Sequence, residues 1–238
     1  MNDLHIRGFL SADLAEQQQR ARAEFAHDFR HCEQASERAV ALIAGLRTEG
    51  MGIAGLWATG YWVKCVRACQ AGIMLAERGM MADAQTQLRG AVESLFHAVA
   101  LVNDPELWVR LVEHDAVERA KQVKGMLAIP TIMQHVSAED RAQLEAMLAG
   151  HGEKPRPFSV YEAAQAARLL ALYETMYRGL SRGAAHSTLS ALEHELIYEA
   201  DGSITPDFGP AYDQLPVTLA MIAECLSTGV QALAGRLG

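Results

Sequence analysis

Basic residues are the minority charge, aromatics are scarce, and no apolar stretch runs long without interruption. Each shortage removes a class of protein. Twenty-one Lys and Arg stand against 29 Asp and Glu, a formal charge of −8. Such a surface repels a phosphate backbone over most of its area, so extensive duplex DNA binding is disfavoured. A small local basic pocket is still allowed, with Arg168, Arg178 and Arg182 as candidates. Phe, Trp and Tyr together make up 6% of the chain, which leaves a core of Ala, Leu and other aliphatic helix formers. No unbroken apolar run is long enough to cross a bilayer, and Met1-Asn2-Asp3-Leu4-His5-Ile6-Arg7 lacks the apolar centre of a signal peptide. No membrane partner is expected. The four cysteines, Cys32, Cys65, Cys69 and Cys225, form no CxxC pair and lack zinc-site spacing. Cys65 and Cys69, four apart on one helix face, are expected to be small buried core residues, and a reducing cytoplasm is the expected setting. No P-loop and no HExxH motif occurs, and no cofactor is expected.

What is present is helical. Half of the 238 residues are hydrophobic and 21% are charged, a globular composition for a single domain over 1–238. The expected fold is all-α, an antiparallel helical bundle. Ser11 is placed to cap a long N-terminal helix within 1–50, reaching about Arg47. Its seam of Phe25, Phe29, Cys32, Ser36, Ala39, Ile43 and Leu46 advances by fours and threes. The polar half, Ala15 to Arg22, is expected to project from the body or to pair with another subunit. Helices follow over about 53–78, ended by Gly79, and over about 82–102. Asp104-Pro105-Glu106 opens one reaching about Leu127, and Ser137 and Ser159 cap two more. Gly150 to Pro157 reads as a loop. Ile197 to Ile204 reads as a small β-hairpin turning at Asp201-Gly202, before a last helix from about Val217 to Leu237.

The segment Tyr177-Arg178-Gly179-Leu180-Ser181-Arg182-Gly183-Ala184-Ala185-His186 concentrates chemistry. In a helix Arg182 and His186 lie about 40° apart, with Arg178 on the same side. An imidazole titrates near neutral pH, and a guanidinium fork suits phosphate. That combination fits in-line attack of a ribose 2′-hydroxyl on its neighbouring phosphate without a metal. It equally fits a capped helix end with its Arg and His bonded to backbone. Upstream, Arg89 and Glu93 sit one turn apart among Leu88, Val92, Leu95 and Phe96. This setting suggests partial burial, with Glu93 orienting Arg178 or His186 from a facing helix.

Tyr177, Arg178, Leu180, Ser181 and His186, with the upstream Leu88-Arg89-x-x-x-Glu93 helix, resemble an uncharacterised bacterial helical family of HEPN-like type (higher eukaryotes and prokaryotes nucleotide-binding). The resemblance spans roughly 76–192. It implies a dimeric helical bundle, and for many relatives a metal-independent ribonuclease of toxin–antitoxin or phage-defence systems. His186, Arg178 and Arg182 would then be catalytic, with Arg89, Glu93, Tyr177 and Ser181 supporting or binding a ligand. The HEPN ribonuclease motif places Arg five residues before His. Here that position is Ser181, so Arg182 comes one place late and Arg178 three places early.

Two further readings stand beside RNA binding or cleavage. One is a non-catalytic sensor or interaction protein that binds a small anionic ligand or a protein partner. The other is a metal-dependent bundle enzyme using Glu93, His97, His114 and Glu118, though these four do not have the Glu-x-x-His spacing of di-iron bundles. Trp57, Tyr61 and Trp62 suit base stacking in principle, but their helical spacing makes core packing the expectation.

Overall fold

The computed structural model describes residues 3–149, 157–185 and 189–237; the side chains of His5, Ala149, Ala184, Ala185, Ser190, Glu193 and His194 are outside that description. The fold is an all-α bundle with one small β-hairpin. Its helices are α1 (Leu14–Glu24), α2 (Ala26–Ala44), α3 (Ile53–Glu77), α4 (Met81–Asn103), α5 (Leu107–Leu127), α6 (Ala138–Ala149) and α7 (Val160–Ala166). A composite helix α8 over 170–185 and α9 (Leu215–Leu233) complete the set.

The centre is α4. From Ala91 to Leu101 nearly every side chain is buried, Glu93 excepted, as expected of a helix enclosed on all sides. Its longest interface is with α3, and α7, α8 and α9 close the other sides. On α3 the buried stripe is Ala54, Ala58, Trp62, Cys65, Cys69, Gly72 and Ala76, mostly small residues at steps of four and three that admit close neighbours. The helix ends as Gly79 requires. Gly79 N–H bonds to Ala76 O at 2.9 Å and Met80 N–H to Leu75 O at 3.0 Å, a Schellman closure with Gly79 at φ +77°.

Other local signals also hold. Ser159 Oγ accepts from Glu162 N–H while the Glu162 carboxylate accepts from Ser159 N–H, a complete capping box. Those hydrogen bonds, with Arg110 at 3.1 Å, hold the Glu162 carboxyl down at about 2. Leu196–Tyr198 and Ile204–Pro206 pair antiparallel around Gly202 at φ +83°.

The N-terminal helix departs from expectation. Phe25 interrupts it at φ −102° and ψ 30°, giving α1 and α2. Instead of projecting, α1 folds against the bundle through buried Leu14 and Ala21. Arg22 ties it down, bonding to Glu33 and, at 2.9 Å, to Glu77, and lying 4.3 Å over the Phe29 ring. By length and composition α9 is long and apolar enough to cross a membrane, which the interruption at Glu224 hides from a search for unbroken apolar runs. Here Leu219, Ile222, Leu226 and Leu233 pack it into the core. The loop expected over Gly150 to Pro157 lies almost wholly outside the described residues.

Candidate functional site

A helix that buries Met176, Tyr177 and Leu180 must turn the intervening positions outward. α8 does this with an uneven winding: two π-type turns, Tyr173–Tyr177 and Ser181–Ala185, flank Arg178–Leu180. In the first, Arg178 N–H reaches back five residues to Tyr173 O. Single π turns recur at functional sites because they re-aim side chains without ending the helix.

The faces so presented meet the polar stripe of α4. Arg89 Nη2 donates to Tyr177 OH at 2.6 Å, and Arg89 Nε donates to Ser181 Oγ at 3.2 Å. Tyr177 OH in turn donates to Glu93 Oε2 at 3.2 Å, the same oxygen that Arg89 Nη1 pairs with at 3.2 Å. The guanidinium also lies 4.9 Å over the Tyr177 ring. That ring stacks on Tyr173 at 5.2 Å and 21° and meets the edge of Phe96 at 6.1 Å, so it cannot swing freely. Burial, with the Glu93 carboxylate behind it, pushes the Tyr177 hydroxyl above its ordinary value, so it is a neutral donor at physiological pH. Arg89 is neutralised by Glu93 on its own helix, and the Tyr177 and Ser181 hydroxyls tie the pair to the facing one.

Glu93 therefore holds Tyr177 and Arg89. It does not hold Arg178, whose Nη1 pairs instead with Glu174 at 2.9 Å on the exposed face. The cause is angular. Arg178 sits one residue, about 100°, round from Tyr177, so docking the tyrosine inward turns the arginine outward. Arg182 is likewise exposed. His186, the expected acid/base, lies outside the described residues.

Glu93 also joins this network to a cleft between α3, α4 and α5. Its backbone carbonyl accepts from His97 Nδ1 at 2.8 Å, which leaves the His97 lone pair on Nε2. The imidazole is stacked on Tyr61 at 5.0 Å and 21° and meets the edge of Phe158 at 5.9 Å. Burial lowers the His97 pKa, with Lys64 and His114 acting in the same direction against Glu93. His114, Asp115, Glu118 and Lys64 line the same cleft of about 250 Å³. Nδ1 of His114 is buried there without a hydrogen-bond partner. The four residues considered for a metal, Glu93, His97, His114 and Glu118, thus share one cleft, but their ligand atoms do not converge. Among the described residues, the group whose ligand atoms all lie within 4.8 Å of one another is Cys65, Cys69 and Cys225. These thiols are fully buried, and mutual hydrogen bonding with burial pushes Cys65 and Cys69 well above the ordinary thiol range.

The aromatic trio divides. Trp62 is a fully buried core residue, Tyr61 lines the cleft, and Trp57 is 53% exposed, against the expectation that all three pack inside. Asp115, which the sequence sets beside His114 and near Glu118, lines the cleft with them; sequence reasoning did not single out Lys64 or Trp108, which carried no signal.

A family model described as a family of unknown function (DUF5677) matches residues 55–204. The chain belongs to this family. No curated protein and no solved structure matches it. The DUF5677 span runs from the start of α3 to the second hairpin strand, so it contains the Arg89, Glu93, Tyr177 and Ser181 network and the whole lining of the cleft. It leaves out α1, α2 and α9, which complete the bundle around that DUF5677 region.

A pH dependence follows from His97. Its folded pKa lies below the ordinary imidazole value of 6.5, so the folded protein resists protonation there more than the unfolded chain does. Stability is fully present above about pH 6.5 and falls as pH drops from there toward the lowered folded value. Urea unfolding between pH 7.5 and 5 is expected to show this decline, and His97→Gln to flatten it. An equal slope in the variant would assign the decline to other groups.

Proposed function

We propose that the protein acts on single-stranded RNA as a HEPN-like, metal-independent helical protein, a homodimer of the cytoplasm serving stress or defence. Arg178 and Arg182 would hold phosphate, and His186 would take the proton of the ribose 2′-hydroxyl. The 2′-oxygen then bonds to phosphorus, the bond from phosphorus to the 5′-oxygen breaks, and that oxygen leaves with a proton. The observation that carries the reading is the crossed network of Arg89, Glu93, Tyr177 and Ser181. It pins α8 to α4 through polar groups, where apolar packing alone would serve stability, and so fixes where the arginine-bearing face stands. The acidic surface elsewhere favours a short, local phosphate contact over a long track.

The test is a labelled single-stranded RNA incubated with the protein in EDTA. Cleavage with a cyclic 2′,3′-phosphate product, lost in His186→Ala, is the expected result. Arg178→Ala with Arg182→Ala is expected to weaken binding about tenfold and to lower the salt slope by about 1.4. Absence of RNA binding at low salt would overturn the reading.

A further inference from the structure

The cleft that begins at Glu93 has a second chamber. Beyond the polar chamber of about 250 Å³ lies one of about 290 Å³, whose walls include Trp57, Trp108, Val112 and Arg119. Tyr61, Leu111 and Asp115 line both, so the two adjoin. The outer chamber is aromatic and apolar. With only three tryptophans in the chain, two of them stand here, and Trp57 is half exposed although burying it would favour folding. The inner chamber is polar and incompletely satisfied. His97 presents Nε2 as an acceptor, and His114 Nδ1 is buried without a partner.

An unsatisfied buried nitrogen is costly, and an apolar side chain from a partner protein would leave it so. A flat ring with hydrogen-bonding atoms on its edge would cover the aromatic walls and satisfy the two histidines together. Convergent polar groups at the end of an apolar chamber are the usual architecture of a small-ligand site. We propose that this cleft is a nucleobase slot, in which the base stacks on Trp57 and Trp108 and presents its edge to His97 and His114. The proposal rests on the RNA reading only for where the base comes from. Glu93 both lines the inner chamber and accepts from Tyr177, so one nucleotide of a bound strand would be read here while its phosphates lie toward α8.

The probe is adenosine, which carries no phosphate, titrated while tryptophan fluorescence is followed. Trp62 is sealed in the core, so the change reports Trp57 and Trp108. Saturable quenching in EDTA is expected, about tenfold weaker in affinity in Trp57→Ala, retained in Trp57→Phe, and weakened in His97→Ala. Quenching that never saturates and is unchanged in Trp57→Ala would overturn the slot. So would a signal that tracks protein concentration without adenosine, since that assigns the apolar chamber to self-association. Arg89→Ala separates the two claims. Loss of RNA affinity there without any adenosine binding in the parent protein removes the slot and keeps the RNA reading. Adenosine binding with no RNA affinity removes the RNA reading and keeps the slot.

Discussion

Arg89→Ala is expected to weaken RNA binding by about tenfold or more while leaving the protein folded. The side chain makes three polar contacts, to Tyr177 OH, Ser181 Oγ and Glu93 Oε2, and covers the Tyr177 ring. Hydrogen bonds to a charged group contribute about 1.5–3 kcal/mol when buried. Here the Arg89 and Glu93 side chains are 26% and 34% exposed, so solvent screening reduces the value, and a stability loss of about 1–2 kcal/mol is expected. The functional loss is larger than the stability loss because the contacts sit between helices. Without the guanidinium, Glu93 is left with the Tyr177 hydroxyl alone, and α8 is free to shift relative to α4. The phosphate contacts proposed for Arg178 and Arg182 would then lose their fixed positions. A double-mutant cycle with Tyr177→Phe is expected to be non-additive by about 0.5–3 kcal/mol, since the two side chains share one network.

Gly229→Ala is expected to be the most damaging single methyl addition in the bundle. A Cβ at Gly229 would stand 2.1 Å from Trp62 Cζ3, 2.5 Å from Trp62 Cη2 and 3.1 Å from Leu95 Cδ1. The Trp62 ring is fully buried and has no room to rotate away, so α9 must move off α3 and α4. Overpacking of this kind costs about 1–3 kcal/mol, and the rigidity of the neighbour places it at the upper end. For a chain of this size the melting temperature should fall by roughly 5–10 °C. Gly60→Ala is the matched control. Its Cβ would meet nothing within 4 Å, and in a helix interior it should stabilise by up to about 1 kcal/mol. Equal stability of Gly229→Ala and the parent, by thermal unfolding, would contradict the close approach of α9 to Trp62.

The legible parts of this fold are those decided by short-range chemistry. Gly79 stops α3 because only a residue at ease with positive φ closes that turn, and Ser159 with Glu162 starts α7 because the two satisfy each other's backbone. Asp201-Gly202 turns the hairpin for the same local reason. The break at Phe25 had no glycine or proline to mark it. The π turns of α8 were not legible either, since no residue type signals them. At the candidate site the pairing of Arg89 with Glu93 was legible from spacing, and their partner was not. Choosing between Tyr177 and Arg178 needs the rotation of α8 against α4, which is set by how Tyr173, Met176 and Leu180 pack. Trp57 and Trp62 differ for the same reason: five residues apart on α3, they fall on different sides of it, one in the core and one on the cleft.

RNA affinity of Tyr177→Phe tests the central claim most directly, because it removes one oxygen and leaves the ring packing intact. Fluorescence anisotropy of a labelled single-stranded RNA, in EDTA and at fixed salt, gives the comparison. The account predicts that Tyr177→Phe and Arg89→Ala each weaken binding, and that the double variant is little worse than either alone. Parent-like affinity in both single variants, with unfolding curves confirming that they are folded, would contradict it.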